Sequence, residues 1–252
     1  MAPPFFYIPS YTPGQTGIVL DEDNSRHIVQ VLRMKPGERL QLTDGKGSLL
    51  EAEILDDHKK KCLVQVKASS YHPPREKKVT LAISLLKNAS RLEWVLEKVT
   101  ELGVTEIIPL LCERTEKQHF RQDRMQAILV SALLQSQQVW LPVMPTPTPF
   151  AQVVENGKER YERRYIAHCL EEGKRVSLAA TVCGGAGPGE AAKKSPAPEE
   201  GGTIILIGPE GDFSGKEIEL ALQHRYVPVT LGETRLRTET AGIVAATLLC
   251  VE

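Results

Sequence analysis

An α/β fold, carried behind a smaller β-barrel-like module, is the class that this 252-residue sequence predicts, and three observations predict it. From residue 79 onward, apolar runs of strand length alternate with segments of helical period, which is the mark of repeated βα units and a mostly parallel sheet covered by helices. Before residue 72 the runs are short, alternating and bounded by turns, as in a small all-β module. Between the two lies Tyr71-His72-Pro73-Pro74-Arg75-Glu76-Lys77-Lys78, polar and proline-containing. The expected domains are therefore 1–72 and 79–252.

In the first domain, residues 39–43 and 49–55 read as strands flanking Asp44-Gly45-Lys46-Gly47, whose Asp-Gly is a strong turn signal, and residues 62–66 alternate again. One short helix is expected over residues 25–32, ending before Lys35-Pro36-Gly37. Lys59-Lys60-Lys61 is read as a charged turn. In the second domain, residues 79–86 form a continuous apolar strand. Ser90-Arg91-Leu92-Glu93 then has the form of a capping box, and Leu92, Val95, Leu96, Val99 and Leu102 recur at helical spacing until Gly103. A strand over 106–111 and a helix over 123–139 follow, the latter with Met125, Ile128, Leu129, Ala132 and Leu133 on one face. Further strands are expected at 165–169, 203–207 and 227–231. A second capping box, Ser214 to Glu217, opens one helix, and another runs over 239–250. Residues 183–202, rich in Gly, Ala, Pro, Lys and Glu, cannot bury a core and are expected to form a flexible surface insertion.

Composition narrows the function without choosing it. A net charge of −1 gives no bulk argument for nucleic acid, membrane surface or acidic substrate. The five cysteines include no CxxC pair, and the six histidines form no HExxH-type cluster, so reduced thiols in a cytoplasmic protein without metal are expected. No leader-like or membrane-spanning apolar segment is present in the sequence, and a soluble protein follows as the default.

The chemistry concentrates in two glycine-containing loops. Ile207-Gly208-Pro209-Glu210-Gly211-Asp212-Phe213-Ser214 and, some twenty residues later, Leu231-Gly232 with Leu236-Arg237-Thr238-Glu239-Thr240-Ala241 each follow a strand and precede a helix. At such a strand-to-helix junction the helix turns free backbone N–H groups toward the loop, and glycine lets a ligand approach bare main chain. One cleft built from both loops is expected.

These two segments, with Arg26-His27, Val31-Leu32-Arg33, Asp44-Gly45-Lys46-Gly47, Glu101-Leu102-Gly103-Val104, Pro109-Leu110 and Glu113-Arg114, resemble the RsmE family of 16S rRNA uracil-N3 methyltransferases, in the SPOUT superfamily. The resemblance implies a PUA-like N-terminal barrel and a SPOUT-type α/β domain threaded as a trefoil knot. It implies S-adenosylmethionine as methyl donor, 16S rRNA within the small ribosomal subunit as partner, and a homodimer whose interface completes the site. Main chain at Gly208, Glu210, Gly211 and Gly232 is then expected to hold the cofactor, with Leu206, Leu231 and Leu236 as apolar walls. Arg26, His27 and Arg33 become RNA contacts, with a solvated helix face as the alternative. Arg237 is expected to stabilise charge on the uracil, its alternative being an ion pair to Glu239 or another carboxylate. Glu210 and Glu239 are the candidate proton acceptors, although a carboxylate at a helix start is more often a cap. Glu113 and Arg114 either line the cleft or form an exposed ion pair, and His168 and Cys169 are read as core.

Three departures from the family pattern stand out. Leu134-Gln135-Ser136-Gln137-Gln138 lacks the glycine and arginine common there, Asp212 replaces a second glycine after Gly-Pro-Glu-Gly, and Phe5-Phe6-Tyr7 lacks a neighbouring arginine. Three other classes remain open from the residues. A SPOUT ribose 2′-O-methyltransferase would share the cofactor. An RNA-binding assembly factor would have lost the glycine loops. A nucleotide-dependent dehydrogenase would want a GxGxxG turn that Leu86-Lys87-Asn88-Ala89-Ser90 does not offer.

Overall fold

The computed structural model describes residues 3–116, 119–169, 175–183 and 201–251; most of the expected insertion, 184–200, lies outside the described residues. The chain forms two compact units, residues 1–75 with 130–141, and residues 76–129 with 142–252.

In the first unit, β1 (Phe5–Tyr7), β2 (Gly17–Val19), β3 (Arg39–Thr43), β4 (Ser48–Asp56) and β5 (Leu63–Tyr71) make one sheet in the order β1-β3-β4-β5-β2. Every pairing is antiparallel except β1 with β3. Alternation drives it: Leu40 and Leu42, Leu50 and Ile54, and Val64 point inward and are fully or almost fully buried, with Ile28 against them. The short helix α1 (Glu22–Arg26) starts three residues before the expected position, because Asp21 caps it by accepting from Asn24 N–H at 2.8 Å. The apolar period marks only its second half, which widens to a π turn over His27–Val31, with Leu32 N–H reaching the His27 carbonyl at 2.9 Å. The expected Asp-Gly turn is present. Asp44 Oδ1 accepts from Lys46 and Ser48 N–H, and residues 139–141 of the same unit bond its two glycines.

The second unit begins with β6 (Val79–Ser84), α2 (Ala89–Leu102), β7 (Glu106–Leu111) and α3 (Gln122–Gln135), whose last residues group with the barrel. It continues with β8 (Thr148–Pro149), α4 (Phe150–Arg160), β9 (Tyr161–Ala167), β10 (Val176–Ser177), α5 (Leu178–Cys183) and β11 (Gly202–Ile207). The last elements are α6 (Gly215–Gln223), β12 (Val227–Thr230) and α7 (Thr238–Cys250). The seven strands are all parallel, in the order β10-β12-β9-β11-β6-β7-β8. Both faces of β6 and β11 are covered, and every residue of these two strands is buried.

Two local differences from the sequence reading, at α2 and α4, have physical causes. The cap of α2 is Asn88, whose side chain accepts from Ser90 N–H at 2.9 Å, and Glu93 pairs instead with Arg124 at 3.0 Å. The capping box of α6 forms in full. Helix α4 escaped the sequence reading, yet Phe150, Val153, Val154 and Gly157 bury at helical spacing; Gly157 is bare because a Cβ there would collide with the Tyr226 hydroxyl. No helix among the described residues is long and apolar enough to cross a membrane.

Candidate active site

Parallel strands deliver their carboxyl ends to one edge, so the loops after β9, β11 and β12 meet there. They enclose a cavity of about 750 Å³. Both glycine loops line it, as the sequence predicts: Gly208 and Glu210 from the first, Leu231, Gly232, Leu236, Arg237 and Glu239 from the second.

Two residues expected to meet the cofactor, the wall residue Leu206 and the main-chain contact Gly211, do not line the cavity. Leu206 lies inside β11 with its side chain in the core beside Phe213 and Ile218, while Ile207 at the strand end reaches the cavity. At Gly211 the side-chain position faces Arg114, whose Cδ stands 3.5 Å from a Cβ placed there. Arg114 neither lines the cavity nor pairs with Glu113; its Nη1 donates to the Gly211 carbonyl at 2.7 Å and so braces the loop from outside. Glu113 N–H is taken by Glu217, the carboxylate of the α6 capping box.

The second loop places its charged groups differently from one another. Arg237 is the N-cap residue of α7, exposed; its carbonyl accepts from Ala241 N–H at 2.8 Å, and its side chain makes no hydrogen bond or ion pair among the described residues. Glu239, in the first turn, is 6% exposed; its ion pair is with Arg91 of α2, Oε1 to Nη1 at 3.4 Å, and its Oε2 is buried without a partner. Glu210 is exposed and its Oε1 accepts from Lys87 N–H at 3.2 Å.

His168 and Cys169, read from sequence as core, sit on the cavity at the end of β9. His168 is 7% exposed, and burial, with Arg175 nearby, holds its imidazole below the usual histidine range although Asp212 pulls the other way. Asp212, where a glycine was expected, adopts φ 64° and uses both carboxylate oxygens: Cys169 N–H donates to Oδ2 and Phe213 N–H to Oδ1, each at 2.8 Å. The aspartate thereby ties the first loop to the end of β9. Asp212→Ala should lower stability by about 1–3 kcal/mol in denaturant unfolding, since it loses both bonds and keeps the unfavourable φ. Asp212→Gly should cost less, because glycine relieves the backbone; equal losses would show that the conformation carries no strain.

Residues 73–250 match the RNA methyltransferase domain family and residues 20–67 the RNA methyltransferase PUA domain family. The chain belongs to the ribosomal RNA small subunit methyltransferase E family. A member from Synechocystis is 31% identical over 231 residues, 90% of this chain and 71% of that protein. A protein from Porphyromonas gingivalis described as a probable rRNA-methyltransferase superposes with a TM-score of 0.82 at 36% identity, covering 98% of each chain. A ribosomal RNA small subunit methyltransferase E from Neisseria gonorrhoeae, solved bound to S-adenosylmethionine, gives 0.78 at 25% identity, covering 98% of this chain and 96% of that one.

For an RsmE-family enzyme, the two loops have the form of a cofactor cradle. Gly232 has φ 148° and no atom within 4 Å of a Cβ placed on it, so its bareness answers to backbone shape. Gly208 answers to packing instead, because a Cβ would stand 3.1 Å from the ring of Phe213. A cavity lined by both glycine loops, with Ile207, Val229, Leu231 and Leu236 beside polar and charged residues, fits a ligand that is apolar in body and polar at several points. S-adenosylmethionine has that character. Among the described residues no His, Cys, Asp and Glu cluster is arranged to hold a metal.

On the barrel, Arg26 is ion-paired with Glu22 at 2.7 Å, His27 is exposed and meets Phe6 edge-on, and Arg33 is exposed with φ 56°. Arg33 alone of the three has no partner among the described residues. Arg91, Arg175 and Asp212 were not singled out from sequence as site residues. They reach the cavity from α2, the segment before β10 and the first loop, and only the fold brings them together.

Proposed function

We propose that this protein methylates N3 of a uracil in 16S rRNA, using S-adenosylmethionine bound between its two glycine loops. The observation that carries the proposal is the cavity at the ends of β9, β11 and β12, lined by both loops in a chain of this family. The cofactor supplies an electrophilic methyl group on sulfonium. Gly208, Glu210, Leu231, Gly232 and Leu236 would hold it by main chain and apolar contact.

Uracil N3 lies on the pairing edge and carries a proton, so the base must be unpaired and the proton must leave before or as the methyl arrives. Arg237, exposed on the cavity wall with its side chain unpaired among the described residues, would stabilise negative charge on a uracil oxygen with its planar fork of donors. Each proton-acceptor candidate has one oxygen engaged, Glu239 Oε1 by Arg91 and Glu210 Oε1 by Lys87; Glu239 is better supported because its other oxygen is buried with no donor among the described residues, whereas Glu210 is exposed. Arg26, His27 and Arg33 on the barrel would meet RNA, phosphate being the natural partner of the arginines. The same reading makes the protein a cytoplasmic homodimer acting on the small ribosomal subunit, its second domain tied as a trefoil knot.

Full-length protein should bind S-adenosylhomocysteine in calorimetry and should methylate small-subunit rRNA. A methyl group at N3 blocks base pairing, so reverse transcription of 16S rRNA should stop at one uracil in cells that have the protein and read through in cells that lack it. A methyl group found on ribose would overturn the N3 assignment, and no binding of S-adenosylhomocysteine would overturn the cofactor assignment.

A further inference from the structure

His168 is a buried polar residue facing a cavity without a partner. Its Nδ1 is enclosed and unbonded, and Nε2 makes no hydrogen bond among the described residues, so Nε2 is the nitrogen left for the cavity that the ring lines. An enclosed nitrogen with no acceptor nearby is less costly as a bare lone pair than as an N–H, which places the ring proton on Nε2. Burial keeps the imidazole neutral, and among the described residues the charged groups that act on it are Asp212 and Arg175. Asp212 has both oxygens committed to backbone N–H groups. Arg175 donates from Nη1 to the His168 carbonyl at 2.7 Å, lines the same cavity and has no other partner among the described residues. A neutral N–H donor and an incompletely paired guanidinium thus line one cavity, linked through the His168 carbonyl, and a carboxylate is the group that would satisfy both.

We propose that His168 Nε2–H and the Arg175 guanidinium together hold the carboxylate at the methionyl end of the cofactor, as specificity residues for that end of the molecule. The inference rests on the cofactor reading above. It places the methionyl end on the β9 side of the cavity, away from Arg237 and Glu239 at the start of α7.

The test compares two probes on full-length protein, S-adenosylhomocysteine and 5′-methylthioadenosine, which share the nucleoside and thioether but differ in the amino-acid end. His168→Asn, whose amide is too short to reach the Nε2 position, and Arg175→Met should each weaken S-adenosylhomocysteine about tenfold or more, the scale of a hydrogen bond to a charged group, and leave 5′-methylthioadenosine within about twofold. His168→Gln, which returns an N–H close to the Nε2 position, should recover most of the loss. Equal weakening of both probes, or no weakening of either, would overturn the inference while leaving the cofactor reading in place. Wild-type protein that binds neither probe would overturn both. If His168→Asn does not fold, Arg175→Met alone decides, because Arg175 is only partly buried.

Discussion

Arg237→Ala should cut the single-turnover rate of methyl transfer by about 10²-fold or more, the usual scale for removing one preorganised donor from developing charge. Its affinity for S-adenosylhomocysteine should change little. The structure sharpens this expectation, because the ion pair to Glu239 that a purely structural arginine would make is made by Arg91. Arg237 caps α7 with its backbone alone, and its side chain makes no hydrogen bond or ion pair among the described residues. The melting temperature of the variant should therefore match the wild type. Arg237→Lys restores charge without the planar fork and should recover only part of the rate. Near-normal turnover by Arg237→Ala would remove the residue from the chemistry and leave Glu239 and the loop backbone as the active groups.

The second large effect is expected at the joint between Gly208 and Phe213. Phe213 is fully buried and packs on Phe150 with ring centroids 5.1 Å apart, so Phe213→Ala should cost about 3–5 kcal/mol in denaturant unfolding. Gly208→Val approaches the same joint from the other side: its Cβ alone would press on the Phe213 ring and main chain at 3.1–3.2 Å. Overpacking of this kind costs about 1–3 kcal/mol, and cofactor binding should disappear with it. Gly232→Val offers the contrast, since there is room for the side chain but φ 148° is foreign to it. It should abolish binding by reshaping the second loop while the midpoint of global unfolding stays near wild type. Equal destabilisation by both valines would show that the two glycines serve one purpose, contrary to the geometry.

Much of the fold was legible in the sequence because its signals are local. The continuous apolar runs of β6, β7 and β11 and the Ser214–Glu217 box depend only on neighbours in the chain, and they form where the pattern puts them. The loops of the site were legible for the same reason. Their partners were not. Glu239 meets Arg91 from a helix far upstream, and Asp212 meets the end of β9, a junction between segments some forty residues apart. His168 was read as core because an apolar strand leads into it; burial was correctly expected, but burial against a cavity and burial against side chains look alike in a one-dimensional pattern. The early start of α1 was missed because Asp21 signals a cap while the apolar period begins only at Ile28.

The strand order fixes a schedule for making the enzyme. β11, from residue 202, seats between β6, from residue 79, and β9, from residue 161, so the centre of the sheet is filled by a segment translated long after both its neighbours. Until it arrives, β6 and β9 each present an open inner edge, and closing them spans long stretches of chain, which makes folding slow. A nascent or prematurely terminated chain that stops before β12 lacks the strand and the second glycine loop that close the cavity. There is no half-built version of the site for a ligand to capture, and competence waits until the second glycine loop has been made.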